Sequence, residues 1–130
     1  MLAQSKAFSG FAVDDLDAAV QFYGETLGLN VSVLDPANGL AILHLAGDRD
    51  TAIYSKPDFV PATYTILNFP VDDIDAAVDQ LFDRGVSFEH YDGFDQDQKG
   101  IARGRAAGRG PDIAWFKDPA GNILSVLQGS

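Results

Sequence analysis

Cysteine is absent from the chain. That excludes a disulfide framework, a thiolate metal site and a cysteine nucleophile. Histidine is nearly as scarce, with only His44 and His90, and no His-x-His or His-x-x-Glu-His spacing links them. Basic residues are few as well: nine Lys and Arg stand against 19 Asp and Glu, for a formal charge of −10. A surface of that sign argues against nucleic acid and against anionic membrane as partners. No apolar run approaches the ~20 residues of a membrane span. The first six residues lack the apolar core of a signal peptide, so a cytoplasmic location is expected. Neither a Gly-x-x-x-x-Gly-Lys-[Ser/Thr] nor a Gly-x-Gly-x-x-Gly phosphate cradle occurs. Ser9, Ser55 and Ser125 fall in strand-like runs with no evident histidine base, and there is no Gly-x-Ser-x-Gly elbow.

What is present is a repetition. Phe11-Ala12-Val13-Asp14-Asp15-Leu16-Asp17-Ala18-Ala19-Val20 returns 58 positions later as Phe69-Pro70-Val71-Asp72-Asp73-Ile74-Asp75-Ala76-Ala77-Val78, with eight of ten pairs identical. Self-similarity at a fixed spacing marks repeated supersecondary units, and two copies are too few for a solenoid, which needs at least about three. At 130 residues, 46% hydrophobic and 22% charged, the chain has the size and make-up of one globular domain. Two pseudo-symmetric modules are therefore expected within it.

Periodicity gives the shape of each module. Residues 7–13 read as a strand. Asp14 or Asp15 then caps a helix, with Asp17 adding favourable charge to its first turn. Leu16, Ala19, Val20, Tyr23 and Leu27 make one apolar stripe of that helix, and Gly28 stops it. Three further strands are expected at 29–34, 40–46 and 51–56, separated by turn-forming Pro, Gly, Asn and Asp. The second module repeats the order. It has a strand at 62–71, a helix with the stripe Ile74, Ala77, Val78, Leu81 and Phe82 closed by Gly85, then strands at 86–91, 112–117 and 122–127. Each module is thus βαβββ in an α+β fold, spanning 6–56 and 62–128 and joined by a linker at 57–61. A module of about 60 residues with one helix on one sheet is marginal alone, so the linker is not a domain boundary.

Paired βαβββ modules carrying Val-Asp-Asp-Leu-Asp-Ala-Ala-Val-Gln-Phe-Tyr in the first and Asp-Pro-Ala-Gly-Asn-Ile-Leu in the last hairpin resemble the vicinal-oxygen-chelate superfamily. Glyoxalase I, bleomycin-resistance proteins and extradiol dioxygenases belong to it. The resemblance covers roughly residues 6 to 128. It implies that each four-stranded mixed sheet curls and that the two enclose a cup. It also implies a divalent metal in the family's enzymes, held by His, Gln or Glu on the first and last strand of each module. Counted from the matching motifs, those positions are Phe8, Tyr54, Ile66 and Ser125 here. Phe and Ile carry no donor, and a neutral Ser or Tyr is a poor ligand. No metal or other cofactor is therefore expected.

The same positions, with their period-two neighbours, give a mainly apolar lining with a few hydrogen-bonding groups, the usual make-up of a small-molecule pocket. Asn68 belongs to it, since a buried amide must find partners and a ligand is one. The stretch 91–111 carries five glycines together with Lys99, Arg103, Arg105 and Arg109. It reads either as a flap over the site, with Arg103 or Arg105 meeting an anionic or carbonyl-bearing ligand, or as a solvated connection. The expected function is metal-independent binding of a small organic molecule, of sequestration or resistance type. The alternative is a glyoxalase-type lyase, isomerase or dioxygenase, acting with a divalent metal or by metal-free acid–base chemistry through Tyr54, His44 or His90. A homodimer is expected, because curled four-stranded sheets leave edge strands that need cover.

Overall fold

The computed structural model describes residues 1–129 and divides into two units, Met1–Pro61 and Ala62–Ser130. The first unit opens on a single 3-10 turn, Leu2–Gln4, and runs through β1 (Ser9–Val13), α1 (Leu16–Gln21), a π-helical turn (Phe22–Thr26), β2 (Asn30–Asp35), β3 (Leu40–Leu45) and β4 (Arg49–Ser55). Its sheet has the order β1-β4-β3-β2, with β1 parallel to β4 and the other neighbours antiparallel. The second unit contains β5 (Thr65–Pro70), α2 (Ile74–Asp83), β6 (Ala102–Arg103), β7 (Asp112–Lys117) and β8 (Ile123–Gln128). Its order, β5-β8-β7-β6, repeats the first, again with the outer strand parallel to the last.

The repeated Val-Asp-Asp does the same work twice. Asp15 and Asp73 lie in extended backbone, and each accepts a hydrogen bond at 3.2 Å from the N–H three residues on, of Ala18 and Ala76. That satisfies one of the donors a helix start leaves without a partner. The two helices then differ. Gly28 (φ 72°) lies thirteen positions after its cap, whereas Gly85 (φ 90°) lies twelve after its own. One inserted residue is what a π turn absorbs, so the helix expected through Leu27 is α-helical only to Gln21 and π-helical from Phe22.

Strand alternation splits each sheet into a helix-covered face and an open face. In the first unit Val13, Ala41, Leu43 and Ile53 are fully buried with Tyr23, while Leu16 and Ala19 of α1 sit among them. In the second, Ala114, Phe116, Leu124 and Val126 are buried with Ile74 and Val78 of α2. Each large side chain removed from water in this way contributes about 1.5–3 kcal/mol.

The stretch expected as a strand at 86–91 makes only one bridge, Phe88 to Phe116, supported by Glu89 N–H donating to the Trp115 carbonyl at 2.8 Å. The fourth place in the sheet is shared, because β6 pairs lower down with Ile113 and Asp112. Between them, Gln96 diverts the chain. Its Oε1 accepts from Tyr91 N–H at 2.8 Å, and its Nε2 donates to the carbonyls of Glu89 at 2.9 Å and Gly100 at 2.7 Å. A side chain thus makes the bonds that a regular strand would take from its neighbour.

Candidate functional site

The open face of the second sheet carries the chemistry of that unit. Register places Asn68, Ser125 and Trp115 side by side across β5, β8 and β7. Ser125 is fully buried and its Oγ donates to Asn68 Oδ1 at 2.6 Å. The amide that the sequence flags is therefore partnered through its oxygen, which leaves its two N–H donors for other use. Asn68 itself is exposed. Ile66 shares its parity but is the extra residue of a bulge between Thr65 and Leu67.

Against Trp115 stand two more aromatic rings. Phe94 lies 5.1 Å away and Tyr91 5.6 Å away by ring centroid, with 6.2 Å between Tyr91 and Phe94. The Tyr91 hydroxyl is buried and has no hydrogen-bond partner among the described residues. Burial raises its pKa, and the Glu89 carboxylate adds to the rise while Lys117 opposes it. Glu89 and Lys117 themselves pair at 3.3 Å.

The two arginines of the Gly-rich stretch have different surroundings. Arg103 donates bidentately to Asp75 of α2, with both contacts at 2.8 Å, and to Asp97 at 2.9 and 3.1 Å. The Arg103 guanidinium holds the Asp75 carboxyl at about 2, although partial burial pushes the other way. Lys99 joins the cluster through Asp79 at 2.9 Å. Arg103 thus ties the 96–103 hairpin to α2, on the helix-covered side of the sheet. Arg105 instead borders a cavity of about 530 Å³ with Pro111 and Leu127. Its backbone N–H is held by the buried Asp112 at 3.0 Å. A second cavity, of about 400 Å³, lies beside α2 between Phe82, Phe88 and His90.

In the first unit, Phe8 precedes β1 and is 69% exposed, while Tyr54 pairs with Ala12 on the open face and is 41% exposed. The structure brings Asn68 and Ser125 into direct contact, and it brings Ile66 to the same strand edge. The sequence analysis missed Trp115, Tyr91 and Phe94, which come from three separate segments. The one available signal was that Trp115 is the only tryptophan. It also missed a second cluster on the open face of the first sheet. There Ser32 Oγ meets His44 Nε2 at 2.8 Å and His44 Nδ1 meets Asp50 Oδ1 at 3.0 Å.

As for a metal, Phe8 and Ile66 bring no donor atom to their positions, and the Ser125 hydroxyl is taken by Asn68. Among the described residues no group of three His, Asp or Glu side chains is placed to hold an ion. The donor set does not fit a divalent cation.

The model of the Glyoxalase/Bleomycin resistance protein/Dioxygenase superfamily matches residues 7–126. The chain belongs to that superfamily. Among solved structures, it is 25% identical to TnmS3, an antibiotic binding protein from Streptomyces sp. CB03234, with a TM-score of 0.68 over 98% of each chain. A superfamily member from Sphaerobacter thermophilus DSM 20745 is 25% identical, with a TM-score of 0.70 over 98% of this chain and 99% of that one. The fosfomycin resistance protein FosX from Listeria monocytogenes shares the fold at 14% identity and a TM-score of 0.70, covering 98% and 92% of the two chains. No curated protein matches the sequence. Seen within this superfamily, the duplicated Val-Asp-Asp and the Asp-Pro-Ala-Gly-Asn turn are fold determinants, since their carboxylates cap helices and close a hairpin.

Proposed function

We propose that this superfamily member binds a small, flat organic molecule without a metal, on the open face of its second sheet. The observation that carries the proposal is the buried, unpartnered Tyr91 hydroxyl beside Phe94 and Trp115. Buried polar groups are almost always hydrogen-bonded, so an orphan in an aromatic cluster points to a ligand acceptor as its partner. Trp115 and Phe94 supply the stacking surface, worth about 0.5–1.5 kcal/mol per ring pair beyond area burial. Asn68, through its free N–H donors, and Ser125 fix orientation, with Ile66 as apolar neighbour and Arg105 as the charge nearest an open cavity. Arg103 acts by holding the 96–103 hairpin in place. The likeness to an antibiotic binding protein supports a sequestration role.

Trp115 makes the test specific, because it is the sole tryptophan. Titration with 1-anilinonaphthalene-8-sulfonate should quench its emission saturably. Tyr91→Phe should weaken binding about tenfold, the worth of one hydrogen bond in a dry site. Emission that does not respond, or a Tyr91→Phe variant that binds as tightly as wild type, would remove this reading.

A further inference from the structure

The open face of the first sheet holds a polar constellation that the binding surface proposed on the second sheet does not use. Ser32 lies on β2, His44 on β3 and Asp50 on β4. His44 is directly opposite Asp50 and opposite Asn30, which puts Ser32 on the diagonal, two residues further along. Side chains so placed on one sheet face lie within mutual reach. The contacts are 2.8 Å from Ser32 Oγ to His44 Nε2 and 3.0 Å from His44 Nδ1 to Asp50 Oδ1. A carboxylate only accepts, so the neutral ring carries its proton on Nδ1, and Nε2 is left to accept from the serine hydroxyl. That is the order nucleophile, base, orienting carboxylate.

We propose that Ser32, His44 and Asp50 form a second site that hydrolyses esters of short aliphatic acids. Ser32 Oγ adds to the ester carbonyl carbon while His44 Nε2 takes its proton. The bond to the leaving alkoxide breaks as His44 returns that proton to it, giving the alcohol and an acyl-serine. Water then adds to the acyl carbon, again giving its proton to His44, and the serine leaves with that proton as the acid is released. Ester and water are the only reactants. Ile42, directly opposite Ser32, and Ala52, opposite Ile42, offer a short apolar rest for the acyl chain. Asp50 is a positioning residue whose side chain is 53% exposed. Its contribution should therefore fall well short of the ~10⁴-fold seen for a buried triad aspartate.

The test uses the full chain with p-nitrophenyl butyrate and, separately, a fluorophosphonate probe. Wild type should hydrolyse the ester above the buffer rate and take up one phosphonyl group, mapped to Ser32 by peptide mass. Ser32→Ala and His44→Gln should return hydrolysis to the buffer rate with circular dichroism unchanged. Asp50→Asn should lower turnover about tenfold, and Asp50→Glu, which keeps the carboxylate, should restore part of it. The labelling arm needs no variant, so it stands even where a substitution disturbs folding. Folded wild type that neither hydrolyses the ester nor takes the probe would overturn the proposal. So would a Ser32→Ala variant that hydrolyses as fast as wild type.

Discussion

Asp118 shows how one residue can carry a family signature for reasons of folding. It is 4% exposed, and its Oδ1 accepts from the N–H groups of Ala120 at 3.0 Å and Asn122 at 2.9 Å. Its Oδ2 accepts from Asn122 Nδ2 at 3.1 Å. Asp118→Ala would strand buried donors, and an unsatisfied one costs about 1–3 kcal/mol. We expect a loss of about 3 kcal/mol in urea unfolding, with the Trp115 titration unchanged wherever the protein is folded. Capping aspartates and this turn were legible in the sequence, because their bonds run within four residues. Tyr91, Phe94 and Trp115 were not, because nothing local places a loop phenylalanine against a strand tryptophan. The Ser32, His44 and Asp50 contacts failed to show for the same reason, since they need the register of three strands.

At the scale of elements, the 96–103 hairpin departs most from expectation. Glycine and arginine content left residues 91–111 open to two readings, a flap or a solvated connection, and in the structure Gln96, Asp97 and Arg103 tie the 96–103 part into the unit. Asp97 Oδ1 accepts from the N–H groups of Lys99 and Ile101, both at 2.9 Å, while its Oδ2 takes Arg103. Burial raises the Asp97 pKa, but these bonds outweigh it and leave the group lowered. Asp75 is depressed from 3.8 to about 2 by Arg103. A carboxylate lowered on folding contributes stability above its unfolded pKa, and that contribution fades as pH falls through the folded value. The stability difference between wild type and Asp75→Asn should thus be full above about pH 4 and gone near pH 2. Because the Asp75 side chain is 45% exposed, the difference at pH 7 should be about 1 kcal/mol and should shrink with salt. Denaturant midpoints for both proteins across that range would check it, and a gap that widens in acid would refute it. Helices and most strands followed from periodicity. The π turn and the shared fourth strand did not, because an inserted residue and a side chain standing in for a ladder leave no periodic trace.

At the scale of the whole molecule, the duplication was the strongest signal, and both sheets repeat one strand order. Each sheet ends in edge strands. On β2, Val33 is 46% and Leu34 60% exposed. Such edges are usually covered, and we propose a second copy as the cover. Light scattering at micromolar concentration should give twice the chain mass of 13.9 kDa, and a monomer would refute the homodimer. No helix among the described residues is long and apolar enough to cross a membrane. We propose that this superfamily member binds its ligand without an ion, since Phe8 and Ile66, at the positions where the resemblance implies metal ligands, carry no donor atom. Elemental analysis of freshly purified protein, never exposed to chelator, tests that most directly. We expect zinc, nickel, manganese and iron all far below one atom per chain. Any one of them present at one atom per chain would contradict it.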